Sequence, residues 1–155
     1  MSDPGTPFEL GSDGPRLVVV GVDGSDVSFR AAAYAMGMAR RHGSELIAVQ
    51  VESEVPATAY LATAAPEFLP AIYASQEDIQ QKLADQITAD CRTWSVRCSL
   101  IHRHGDPADQ LADVADRAHA DMVVVGASTS IAHRLSGSLP RRLSRRRRWV
   151  LTIVP

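Results

Sequence analysis

Cysteine, aromatic side chains and, beyond Asp121, acidic residues are scarce or absent in this 155-residue chain. Cys91 and Cys98 are its two cysteines, with no C-x-x-C and no metal-ligand spacing. They read as reduced thiols of a reducing compartment, which excludes a disulfide framework. No apolar run reaches the roughly 18 residues that a membrane span requires. The first fifteen residues are acidic and rich in Pro and Gly, without the apolar stretch of a signal peptide. Residues 1–15 are therefore expected to form a flexible lead-in to a single domain, 16–155, placed in the cytoplasm. The G-K-[ST] of a P-loop, the G-x-G-x-x-G fingerprint and the G-x-S-x-G elbow are also missing.

What is present is an ordinary globular composition, 45% apolar and 22% charged, which excludes disordered and collagenous classes. The formal net charge is only −2, but its distribution is uneven. Residues 1–133 hold all 18 acidic residues against nine basic ones, while residues 134–155 hold seven Arg and no acid. A near-neutral total excludes a uniformly basic nucleic-acid binder and leaves room for a local anion site.

Five short β-branched runs stand out: 17–22 (LVVVGV), 45–51, 95–101, 121–127 and 149–154. The first, fourth and fifth are almost continuously apolar, the pattern of strands covered on both faces of a parallel sheet. Helical segments lie between them. Ser25 can cap a helix to about His42, with Ala31, Ala32, Ala35 and Ala39 as a packing stripe and Gly43 as its stop. Ser75-x-x-Asp78 resembles a capping box opening a helix to about Cys91, with Ile79, Leu83 and Ile87 on one face. Asp106-Pro107 places a cap and a first-turn proline before a third helix bearing Leu111, Val114, Ala115 and Ala118. A fourth helix is expected over about Ser138–Arg146. This order predicts an α/β fold, an open doubly wound five-stranded parallel sheet with helices on both faces. The segment 53–74, with Pro56, Pro66 and Pro70, breaks the rhythm. It reads as a loop over the sheet edge, or as a lid or subunit contact.

Ligands of such sheets bind beyond the carboxyl ends of strands, where the connections reverse direction. Two loops there have suitable composition. Gly21-Val22-Asp23-Gly24-Ser25 offers a carboxylate for a base or ribose hydroxyl, and equally an ordinary capping turn. The stretch from Gly126 to Ser138 holds two glycines, several hydroxyls, His133 and Arg134, a composition suited to phosphate and also common in plain loops.

Taken together, VVVGVDGS (18–25), GDPADQLADVADRAHADMVVVGAS (105–128), Gly137-Ser138 and the closing WVLTIVP resemble the universal stress protein family over nearly the whole chain. The resemblance implies a Rossmann-like, adenine nucleotide alpha hydrolase-like fold. It implies an adenine nucleotide, ATP or AMP, as ligand, with Mg²⁺ only where ATP is bound. It places Gly21 and Asp23 on the adenosine side, the Val51 backbone at adenine, and Gly126, Thr129, Gly137 and Ser138 in the ribose–phosphate loop. Nucleotide-binding members carry G-x-x-G, nine residues, then G-[ST]. Here Thr129 stands at the second glycine and seven residues, 130–136, precede Gly137. A β-branched residue resists the close approach that glycine permits, and two missing residues remove up to about 7 Å of contour.

The run LPRRLSRRRRW (139–149) places Arg141, Arg145 and Arg148 on one side if the helix continues. It reads as a solvated basic face, or as a site for phosphate, polyanion or an acidic surface on a partner subunit. With Trp149 the one aromatic nearby, sequence-specific nucleic-acid recognition is not expected. His102-x-His104, at the exit of the third strand, lacks ligands to complete a metal site. The expected function is thus a stress-response protein that binds an adenine nucleotide and acts through dimer surfaces and unidentified regulatory partners. A nucleotide-free dimeric scaffold and a slow ATPase are the alternatives. The apolar terminal strand Trp149–Pro155 is the expected homodimer edge.

Overall fold

The computed structural model describes residues 14–52, 64–127 and 139–155. Its elements are β1 (Leu17–Val22), α1 (Asp26–His42), β2 (Glu45–Glu52), a 3-10 turn (Pro66–Phe68), α2 (Leu69–Thr93), β3 (Cys98–His104), α3 (Pro107–Arg117), β4 (Met122–Gly126), α4 (Leu139–Ser144) and β5 (Val150–Val154). The five strands form one sheet in the order β3-β2-β1-β4-β5, and every pairing is parallel. This is the open doubly wound α/β architecture that the pattern of runs predicts.

Alternation along the strands splits the core in two. On one face Val18, Val20, Leu46, Ala48 and Val124 pack against Ala31, Ala35 and Ala39 of α1 and Leu83 and Ile87 of α2. Alanine keeps α1 close to the sheet because no long side chain intervenes. On the other face Val19, Val49, Val123 and Val125 meet Leu111, Val114 and Ala115 of α3 and Leu143 of α4. Each fully buried Val or Leu contributes about 1.5–3 kcal/mol.

The helix ends follow their cap chemistry. Ser25 Oγ accepts from the Ser28 N–H at 3.2 Å and Gly43 closes α1 in the left-handed region at φ 66°. Asp106 accepts from the Asp109 N–H at 3.1 Å, with Pro107 opening α3. The start of the domain is tied down as well. Asp121 Oδ2 accepts from the Arg16 and Leu17 N–H groups at 2.7 and 3.1 Å, and the buried Ser44 hydroxyl donates to the Pro15 carbonyl.

Several boundaries differ from expectation. Helix α2 opens at Leu69 rather than Ser75, since Pro70 suits a first turn and the 3-10 turn feeds into it. Residues 69–74 are therefore helical rather than loop, and residues 53–63 lie outside the described residues. Ile79 is 56% exposed, so the core face of α2 begins lower, at Leu83. The third strand starts at Cys98 instead of Ser95. Ser95, at φ 54°, and Val96 close α2 by donating to the Arg92 and Cys91 carbonyls. It then runs to His104, so His102 and His104 lie inside the strand, not at its exit. Helix α4 is Leu139–Ser144, shorter than 138–146. Arg145 and Arg148 fall beyond it and share no helical face with Arg141. Strand β5 is not covered on both faces, for Val150 and Ile153 are 59% and 49% exposed.

Candidate functional site

The connections reverse between β1 and β4: α1 crosses on one face of the sheet, α3 and α4 on the other. The carboxyl ends of β2, β1 and β4 lie side by side at that point. Val22 pairs with Gln50, so Asp23 leaves β1 beside Val51, and Gly126 ends β4 on the other flank of β1. Gly21, Asp23, Val51 and Gly126 are thus brought to one edge of the sheet.

The Asp23 turn is built by its own sequence. Asp23 Oδ1 accepts from the Ser25 N–H at 2.9 Å and the Ser25 hydroxyl at 2.6 Å. The Asp23 N–H donates to Ser28 Oγ at 3.3 Å, and that hydroxyl donates to the Ser25 carbonyl at 2.9 Å. Gly24 supplies the positive φ, 83°, that turns the chain into α1. The carboxylate is held in one orientation at the strand end before any ligand arrives. The start of α1 is already satisfied, by the Ser25 cap and by Asp26 in its first turn, so it is a poor seat for phosphate.

Gly126 has a packing reason as well as a candidate ligand role. A Cβ there would stand 2.6 Å from Val27 Cγ1 and 3.1 Å from the Val27 backbone. Its bareness lets the first turn of α1 rest on the end of β4. Gly21 faces α3, where a Cβ would meet Leu111 Cδ1 at 2.9 Å. Thr129, Gly137 and Ser138, together with His133 and Arg134, lie outside the described residues.

Arg142, Arg146 and Arg148 of the arginine block are engaged within the chain itself, which sequence reasoning missed. Arg142 bonds Asp106 Oδ2 at 2.5 Å and reaches Asp109 at 3.4 Å; Arg146 bonds Asp109 at 2.7 Å. Arg148 lies 3.4 Å from Asp116, which also accepts from the Trp149 indole at 3.1 Å. The acidic surface it meets is α3 of the same chain. The spacing Asp106, Asp109, Asp113, Asp116 marks one helical face and was the available sign. Partial burial works to raise the Asp106 pKa. The Arg142 hydrogen bond, the Asp109 N–H, the Arg142 charge and the Ala108 N–H outweigh it and hold the carboxyl below its ordinary range.

His104 Nδ1 pairs with Glu52 at 3.0 Å. Among the described residues no three His, Cys, Asp or Glu side chains gather as a metal site, and no helix is long and apolar enough to cross a membrane.

The sequence profile of the universal stress protein family matches residues 15–155. The chain belongs to the universal stress protein family. It is 31% identical to universal stress protein Rv1636 of Mycobacterium tuberculosis, over 90% of this chain and 95% of the relative. It is 27% identical to universal stress protein MJ0531 of Methanocaldococcus jannaschii, over 83% of this chain and 75% of the relative. The crystal structure of a universal stress protein in complex with cAMP superposes with a TM-score of 0.64. That structure is 30% identical and covers 92% of this chain and 98% of its own. This universal stress protein shares the five-stranded parallel sheet of its relatives.

Proposed function

We propose that this universal stress protein binds an adenine nucleotide in the crevice above β2, β1 and β4 and acts in stress response through its dimer surfaces. The observation that carries the reading is the convergence of Asp23, Val51 and Gly126 at the strand ends where the topology reverses. Asp23 is oriented to accept from a ribose or base, and the Val51 backbone lies one strand away for the base edge. Phosphates would fall to Gly126 and, in sequence, to Thr129, Gly137 and Ser138. A similar protein, 30% identical, is described in complex with cAMP, an adenine nucleotide with a single phosphate. A loop two residues short suits such a ligand or AMP better than ATP; Mg²⁺ enters only with ATP. The nucleotide acts only as far as it prefers one conformation. The homodimer edge is β5, and the cytoplasm is the compartment.

A second reading, a nucleotide-free dimeric scaffold, is favoured by Thr129 and by the acidic, already capped start of α1. A slow ATPase is the remaining alternative, removed by the absence of phosphate release above background with Mg²⁺. The deciding experiment is thermal unfolding with millimolar ATP, AMP and cAMP. Binding raises the melting temperature by an amount that grows with the logarithm of ligand excess, and Asp23→Ala should abolish the rise. No shift with any of the three, and no nucleotide in the mass spectrum of purified protein, leaves the scaffold.

A further inference from the structure

The two cysteines are seven residues apart in sequence but neighbours in space. Cys91 lies in the last turns of α2, on the side facing the sheet, and is 3% exposed. Cys98 is the first residue of β3, on the same face, half-buried against the same apolar cluster. The turn between them is tight. Trp94, Ser95 and Val96 donate backbone hydrogen bonds to Asp90, Arg92 and Cys91 at 2.8–3.1 Å, returning the chain directly onto the helix it leaves. The Cys98 Sγ donates to the Ser99 carbonyl at 3.8 Å, and the two thiols pack in one apolar cluster close enough for each to perturb the other's ionisation.

We propose that Cys91 and Cys98 form an intramolecular disulfide when the protein meets a two-electron oxidant of the peroxide class. This rests on neither the nucleotide nor the dimer reading. The partly exposed Cys98 reacts first. Its thiol gives up a proton and the sulfur attacks the peroxide O–O bond, forming a sulfenic acid and releasing hydroxide, which takes that proton to become water. The Cys91 sulfur then attacks the Cys98 sulfur. The S–S bond forms, the S–O bond breaks, and the departing hydroxide takes the Cys91 proton as a second water. Two thiols lose two electrons, and one peroxide becomes two waters.

The two thiols are not equivalent. Burial, with the neighbouring Cys98 thiol and the Asp90 charge, lifts the Cys91 pKa to about 12. Burial also raises Cys98, but the neighbouring Cys91 thiol and the Ala48 backbone oppose that rise. Cys98 is therefore the sulfur that ionises first and Cys91 the one that resolves. Because both are protonated at neutral pH, oxidation is slow there and gains about tenfold per pH unit up to the Cys98 pKa. The product pins the lower end of α2 to β3 and closes a short loop, which raises the melting temperature.

The test treats the reduced full-length chain with hydrogen peroxide and measures intact mass, peptide linkage and melting. The expected product is a monomeric chain about 2 Da lighter, with the 91 and 98 peptides joined and a higher melting temperature. Cys91→Ser should instead leave a Cys98 sulfenic acid that dimedone captures, while Cys98→Ser should leave Cys91 unmodified. Oxidised wild type carrying additions of about 16 or 32 Da without linkage, or a covalent dimer through Cys98, would overturn the proposal. Should Cys91→Ser not fold, linkage in the wild type and inertness of Cys98→Ser decide it.

Discussion

Asp106 does two things at once, capping α3 and accepting from Arg142, and the two can be separated by substitution. Asp106→Asn keeps a capping oxygen and loses the ion pair; Asp106→Ala loses both. Alanine is expected to cost about 1 kcal/mol more than asparagine, the usual worth of a cap, read from denaturant midpoints. The ion pair also carries a pH dependence with a definite sign. Its folded pKa lies below the ordinary 3.8, so its stabilisation is present above that value. It is lost as pH falls through the lowered folded value. The difference in melting temperature between wild type and Asp106→Asn should therefore be present at neutral pH and vanish in acid. A difference that persists unchanged below pH ~3 contradicts the assignment. The cap was legible because Asp-Pro before an apolar periodicity is a local pattern. Arg142 as its partner was not, lying 36 residues away. Gly126 teaches the same lesson: the need for glycine could be read, but Val27 of α1, which explains it in part, touches it only in the folded chain.

At the level of elements, those whose ends are marked by local chemistry were legible and those set by neighbours were not. Ser25 and Gly43 bound α1 where expected. Helix α2 runs six residues further toward its start than Ser75 implied, because the 3-10 turn and Pro70 lead into it. Strand β3 shifted by three because Ser95 and Val96 finish a helix instead of starting a strand. The arginine segment shows how a face prediction fails when its helix ends early. Arg141, Arg145 and Arg148 align only on a helix that continues past Ser144. In its place stands an inter-element zipper, Arg142, Arg146 and Arg148 against Asp106, Asp109 and Asp116. Its members are about a quarter to two-thirds exposed, so the attraction is screened by water and salt. Arg142→Ala with Arg146→Ala is expected to lower stability by about 1 kcal/mol, less at high salt. Chemical denaturation at low and high NaCl checks this. An effect that grows with salt would contradict a Coulombic origin.

For the molecule as a whole, the charge division between an acidic body and a basic tail becomes in part an internal match, with Arg142, Arg146 and Arg148 spent on α3. What the sheet leaves open is its two rims, and they are unlike. The β5 rim presents Val150 and Ile153 to solvent. The β3 rim carries exposed Arg97, His102 and His104, polar side chains that discourage strand pairing. If β5 joins copies as proposed, Ile153→Lys should shift the protein from dimer to monomer while leaving its melting temperature within a few degrees. Sedimentation of both proteins at the same concentration reads this, and an unchanged dimer would move the interface elsewhere. The unlike rims have one further consequence. A copy joined at β5 uses up the apolar rim that each partner shows among its described residues, and the rims then left outward both carry Arg97, His102 and His104. Growth by strand addition therefore stops at a closed two-fold pair, and an endless cross-chain ribbon has no place to begin.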